Sequence, residues 1–228
     1  MRLKDVVIKE FHNLYYGEAH NSPVLNSTTW MGHKILKAPT DLWSYQEIMY
    51  ETRPDVVIET GTLYGGSALW FAQMMDLLDL KPGVLSIDIT GDTIPARPRH
   101  EKIKYLTGSS TSKEVLEIVD SYLKGASGRL GRSPRTMVVL DSDHRAQHVF
   151  NELEAYSGLV TPGCYLIVED SNINGHPVLH GWGRGPMEAL EEWLPKHPEF
   201  AVDAHRERFL LTMNPRGFLR KMEESRNG

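Results

Sequence analysis

Short continuous apolar runs alternate along this chain with longer stretches whose apolar residues recur every three or four positions. "DVVIETG", "GVLSIDI", "KIKYLTGSS", "TMVVLDSDH" and "GCYLIVED" are of the first kind. "SALWFAQMMDLL", "SKEVLEIVDSYL", "AQHVFNELEAYSGLV" and "GPMEALEEWLPKH" are of the second. Apolar runs without alternation predict strands buried on both faces, and the 3.6-residue period predicts helices. Upstream, "DLWSYQEIMYET" sets Leu42, Tyr45, Ile48 and Met49 at helical spacing behind Asp41 as a cap, and Arg53-Pro54 stops the helix. Strands alternating with helices predict an α/β fold, a mostly parallel sheet with helices on both faces. "RFLLTMNPRGFLRK" predicts a closing antiparallel hairpin, with Asn214-Pro215-Arg216-Gly217 as its turn. The first 40 residues are less regular, and the tail "EESRNG" reads as disordered.

A length of 228 residues suits one larger α/β domain, and no repeat or low-complexity linker divides it. A net charge of -5 and a sequence pI of about 6.1 argue against nucleic acid as a partner. With one cysteine, Cys164 inside a strand, no internal disulfide forms and the thiol reads as buried. The start, "MRLKDVVIKEFHNLYYG", is charged throughout, and no run approaches the roughly 20 apolar residues of a membrane span, so the expectation is a cytoplasmic protein without a membrane partner. Tyr15, Tyr16, Trp30, Trp182 and Trp193 are scattered, which fits core or interface positions better than one aromatic pocket.

In an open parallel sheet the ligand crevice lies beyond the carboxyl ends of the strands, and that rule selects few residues. The first strand ends in Glu59, followed by "TGTLYGGS", where Gly61 and Gly65 let backbone approach a ligand and the next helix offers free N–H groups. The spacing G-x-x-x-G-G is neither G-x-G-x-x-G nor a P-loop with its lysine. Asp88 ends the next strand, where an acid accepts hydrogen bonds from ribose hydroxyls in dinucleotide and S-adenosylmethionine sites alike. Asp141 ends the fourth strand and Glu169 with Asp170 the fifth. Three carboxylates at one rim repel one another unless a hard cation such as Mg²⁺, or arginines such as Arg145 or Arg184, neutralise them. His144, three residues past Asp141, is placed to take a proton beside such a cation. His148, His176 and His180 have no zinc-type spacing.

Taken in order and spacing, "TTWMGHKILKAPTDL", "VVIETGTLYGGSALWFA", "VVLDSDH", "LIVEDSNINGHPV", "GPMEALEEWL" and "LTMNPRGFLRK" resemble the cephalosporin-hydroxylase-like family of methyltransferases, to which rhamnosyl O-methyltransferases belong. The resemblance spans roughly residues 25 to 220. It implies a Rossmann-like methyltransferase fold, with residues 1–40 as a segment over the cofactor and substrate and 41–228 as the S-adenosylmethionine-dependent domain of one single unit. It implies Asp141, Glu169 and Asp170 as Mg²⁺ ligands and His144 as base. Glu59, Gly61, Tyr64, Gly65, Ser67 and Asp88 become cofactor positions, with Ser109 or Ser110 near the adenine and His176 and Arg184 on the substrate side. The implied reaction is O-methylation of a small-molecule hydroxyl, on a sugar or an antibiotic-type natural-product intermediate, by a homo-oligomer. Two positions depart from the family: Ser109 stands where relatives often carry an acid, and "GRGP" replaces G-P-G-P, putting the cation Arg184 into a substrate lid. The competing readings are a non-catalytic nucleotide-binding accessory protein and an NAD-dependent oxidoreductase; the glycine spacing and the acid pair argue against the latter.

Overall fold

The computed structural model describes residues 3–17, 22–91 and 97–223. These begin with helices α1 (Leu3–Tyr16) and α2 (Pro23–Ser27) and a small hairpin, β1 (Thr29–Trp30) with β2 (His33–Lys34). There follow α3 (Pro39–Thr52), β3 (Val56–Thr60), α4 (Gly66–Leu77), β4 (Gly83–Asp88), β5 (Ile103–Thr107) and α5 (Lys113–Leu130). The chain continues through β6 (Thr136–Leu140), α6 (Ala146–Tyr156), β7 (Tyr165–Val168), α7 (Pro186–Trp193), β8 (Phe200–Val202) and β9 (Phe218–Lys221).

The main sheet has seven strands in the order β5-β4-β3-β6-β7-β9-β8. The first five run parallel, and β9 lies antiparallel to both β7 and β8. Every residue of β3, β6 and β7 is buried, as their unbroken apolarity requires. Side chains still alternate between faces. Val56 and Ile58 pack with Val119 of α5, Leu153 of α6 and Trp193 of α7, while Val57 and Val139 pack with Ile48 of α3 and Phe71 of α4. Each such aliphatic side chain withdrawn from water contributes roughly 1.5–3 kcal/mol, offset largely by chain entropy.

Element ends follow local chemistry. Pro39 opens α3 and Pro186 opens α7, where a missing N–H costs nothing. The Ser112 hydroxyl accepts the Val115 N–H at the start of α5, and Gly131 closes that helix in the left-handed region at φ 68°. This carries α5 seven residues past the predicted end at Leu123, through Gly125 and Gly128.

Two readings are corrected. Asp41 is not a helix cap: it lies inside the first turn of α3, buried, and its Oδ2 accepts the Met213 N–H at 2.8 Å. The expected C-terminal antiparallel pair is present, but its first arm is Phe200–Val202 and not the run before Asn214. The apolar residues Leu211 and Met213 are instead buried beneath the N-terminal segment, because the connection from β8 to β9 crosses the carboxyl edge of the sheet. The tail from residue 224 onward lies outside the described residues. Among the described residues no helix is long and apolar enough to cross a membrane.

Candidate active site

The order β4-β3-β6 reverses the direction of winding between β3 and β6, and a cavity of about 500 Å³ opens at their carboxyl ends. The turn after β3 forms one wall. Gly61 has φ 86°, and a Cβ there would lie 1.8 Å from the Asp141 carbonyl oxygen, so only glycine lets the β3 and β6 turns meet. Gly65, at φ 76°, begins α4. Asp88, at the end of β4, accepts the Leu63 N–H at 2.7 Å on one oxygen and the Thr90 N–H at 2.7 Å on the other. Burial alone would raise its pKa, but these bonds and the Arg97 guanidinium outweigh it and hold the carboxyl below its ordinary range. Asp88 thus stays ionised, facing the cavity as an acceptor. Gly108, Ser109 and Ser110 after β5 complete that end, with the Ser110 hydroxyl 3.2 Å from His148 Nε2.

At the other end stand the acids. Asp141, His144 and Asp170 each offer a ligand atom, all within 4.8 Å of one another. Asp170 adopts φ 53°, a left-handed conformation that Asp tolerates, which turns the chain sharply off β7. Its Oδ2 lies 3.2 Å from His144 Nε2, and its Oδ1 accepts from the Tyr16 hydroxyl at 3.3 Å. Glu169, before that turn, meets different partners. It is 1% exposed and its Oε1 accepts from the Tyr45 hydroxyl at 2.5 Å. Tyr45 in turn accepts from Asn214 Nδ2 at 2.8 Å.

The partner of these acids is a lysine. The Lys37 ammonium contacts Asp141 Oδ2 and lies 2.7 Å from Glu169 Oε1. Burial would discharge it, but Asp141, Glu169 and Glu59 prevail and keep it protonated. Arg145 and Arg184 do not serve: Arg145 pairs with Asp143, and Arg184 with Glu192 on the exposed rim. Three carboxyls, Asp141, Glu169 and Asp170, face one buried ammonium, and burial raises the pKa of Asp141 and Glu169 in spite of Lys37. Glu169 Oε2 and Glu59 Oε1, both buried, have no hydrogen-bond partner. A hard divalent cation suits this set of oxygens.

The other expected residues divide. Gly61, Asp88, Ser109, Ser110, Asp141, His144 and Asp170 border the main cavity. Tyr64, Gly65 and Ser67 border a recess of about 30 Å³ beside Lys37 and Asp141. Glu59 lies behind the turn, bonded by the Ser86 hydroxyl at 2.6 Å, with burial pushing its pKa up to about 7. Neither His176 nor Arg184 borders the cavity. His176 Nε2 is 3.0 Å from Glu188 Oε1, and Glu188 also accepts from Asn174 Nδ2 and, at 2.6 Å, from the Gly185 N–H. These bonds overcome burial and hold Glu188 down at about 2, so it pins residues 174–185 onto the start of α7. Glu188→Gln is expected to speed amide hydrogen exchange in that loop several-fold. A depressed carboxylate stabilises fully above its unfolded pKa of about 4.3, so in the wild type this support persists at neutrality and fades as pH falls through about 2.

Sequence reasoning missed Lys37, Tyr16, Tyr45 and Asn214. Lys37 carried a signal, being a single charge inside "ILKAP". Tyr45 is a core residue, fully buried, whose hydroxyl alone belongs to the site. Of the five aromatics considered, Tyr16 borders the cavity, whereas Trp193 is wholly buried in the core.

A sequence model of the rhamnosyl O-methyltransferase/CmcI family matches residues 22–222. A rhamnosyl O-methyltransferase of Mycobacterium tuberculosis (strain H37Rv) is 40% identical over 221 residues, 96% of this chain and 86% of that protein. The Mycobacterium leprae (strain TN) protein of the same name is 39% identical over 220 residues, 96% of this chain and 92% of that one. A solved structure of CmcI in an Mg–SAM form superposes with a TM-score of 0.66 over 91% of this chain and 81% of that one, at 21% identity. A caffeoyl-CoA O-methyltransferase-like structure from Staphylococcus aureus gives a TM-score of 0.55 over 88% of this chain and 86% of that one, at 17% identity. At such identities the structural likeness is one of fold.

Proposed function

Because the chain belongs to the rhamnosyl O-methyltransferase/CmcI family, we propose that its cavity binds S-adenosylmethionine and Mg²⁺ and methylates a hydroxyl of a sugar-bearing small molecule. The observation that carries this reading is the convergence of Asp141, His144 and Asp170 at one end of a cavity whose other end is Asp88. Asp88 would accept from the ribose hydroxyls, and Ser109, Ser110 and the Gly61–Gly65 turn would supply the remaining contacts to the nucleoside. Asp141 and Asp170 would hold the metal together with His144, whose ligand atom lies within 4.8 Å of theirs, or with Glu169, whose Oε2 is unpartnered. When bound, S-adenosylmethionine supplies a methyl on a cationic sulfur, and Mg²⁺ supplies charge stabilisation for a hydroxyl losing its proton.

The protein's own side chains do the rest. His144 receives the hydroxyl proton on its imidazole, and the Asp170 carboxylate, 3.2 Å from Nε2, stabilises the imidazolium. Tyr16 and Lys37 hold Asp170 and Asp141 from the N-terminal side, which is the support for reading residues 1–40 as a cover continuous with the 41–228 unit. Leu25, Leu36 and Met213 give the cavity an apolar stretch of lining that would shed water from the reacting pair. A homo-oligomeric state belongs to the same reading and is measured by sedimentation.

Transfer of labelled methyl from S-adenosylmethionine to rhamnosides, with and without a chelator, tests the reading. Metal-dependent incorporation supports it, and full activity after chelation sinks the metal assignment. Asp88→Ala is expected to weaken S-adenosylhomocysteine binding by about 1–3 kcal/mol, the cost of stranding polar partners. Unchanged calorimetric affinity would move the nucleoside elsewhere.

A further inference from the structure

Lys37 is 3% exposed by its side chain, and the burial of an ammonium is costly unless carboxylates surround it. Here they do. It shares one oxygen of Asp141 and one of Glu169, and leaves Glu169 Oε2 without a partner. The backbone around it is fixed: Ile35 and Ala38 are buried, the Lys37 carbonyl accepts from the Tyr15 hydroxyl at 3.4 Å, and α3 begins at Pro39. Only the flexible four-carbon stem has freedom to move. With Asp141, Glu169 and Asp170 ionised, Lys37 leaves two negative charges, which one divalent ion neutralises, and without Lys37 three would remain; burial opposes that ionisation at Asp141 and Glu169, and Lys37 favours it.

We propose that Lys37 is the resident counter-cation of this metal site, holding the Asp141–Glu169 pair in the metal-free protein and competing with the divalent ion for those carboxylates. The inference rests on the reading of these acids as an Mg²⁺ site. Its consequences are that the metal-free protein keeps its fold, that metal binding is an exchange of cations, and that Lys37 lowers the affinity of the site for metal.

The test uses metal-stripped full-length protein, with Mg²⁺ alone as the probe, read by calorimetry and by melting temperature. Lys37→Met is expected to melt several degrees below wild type without metal, to gain more from Mg²⁺ than wild type does, and to bind Mg²⁺ at least about tenfold more tightly, since a unit charge a few ångströms from the ion has been removed. Lys37→Gln, which keeps donors but no charge, should behave as Lys37→Met. Lys37→Arg should bind Mg²⁺ with near wild-type affinity. Folded Lys37→Met and Lys37→Gln that bind Mg²⁺ no more tightly than wild type overturn the proposal. So does failure of both to fold with millimolar Mg²⁺ present, because the ion should replace the missing charge. A wild type that takes up no Mg²⁺ overturns the site reading itself, a result distinct from a wild type that binds and variants that bind no better.

Discussion

Replacing Asp170 by Asn is expected to lower methyl transfer by more than about 10³-fold, equivalent to roughly 4 kcal/mol of transition-state stabilisation. The substitution removes charge and little else. Asn tolerates the left-handed backbone that Asp170 adopts at φ 53°, and its side-chain oxygen can still accept the Tyr16 hydroxyl. What disappears is the negative charge of the proposed metal ligand and of the carboxylate beside His144 Nε2. The gain in melting temperature on adding Mg²⁺ should vanish with the activity, while S-adenosylhomocysteine affinity changes by no more than about twofold, because Asp88 and the Ser109–Ser110 turn make no contact with Asp170. An Asp170→Asn enzyme that retains Mg²⁺ stabilisation would exclude this residue as a ligand.

His144→Ala carries the second large effect, a fall in kcat of about 10²- to 10⁴-fold with KM nearly unchanged, the range of a lost general base. His144 also lies within the group whose ligand atoms are within 4.8 Å of one another, so base and metal ligand are competing roles for it. The Mg²⁺-induced rise in melting temperature separates them: a base leaves that rise intact, a ligand abolishes it. The expected outcome is that it stays, since His144 already faces Asp170 and three carboxylates suffice for a hard ion. Loss of Mg²⁺ stabilisation in His144→Ala would transfer the histidine to the metal and leave the base unassigned.

What the chain determined by itself is the part of the structure that depends on local periodicity. Five predicted strands became β3 to β7; β3, β6 and β7 are unbroken apolar runs because a strand buried on both faces has no polar side to show, whereas the edge strand β5 exposes Lys104, and the helices between them followed the 3.6-residue spacing. The strand-end rule then brought Asp88, Asp141, His144 and Asp170 to one cavity from positions scattered over more than 80 residues. The last apolar run misled for the same reason: "RFLLTM" has the composition of a strand, but Phe209 and Leu210 stay exposed, Leu211 and Met213 are buried, and Met213 packs with Leu25 of α2 with no strand to pair with.

Tertiary structure alone decided how the acids are shared. Lys37 meets Asp141 across 104 residues of chain, Tyr45 meets Glu169 across 124, and Tyr16 meets Asp170 across 154. No spacing encodes such contacts. Glu169 and Asp170 are neighbours in sequence, yet one faces Lys37 and Tyr45 in the core and the other faces His144 and the cavity, because the left-handed backbone at Asp170 turns the chain off β7. The role of a carboxylate depends on what surrounds it and how far water has been excluded, and those are properties of the packed chain, not of the segment in which the residue stands.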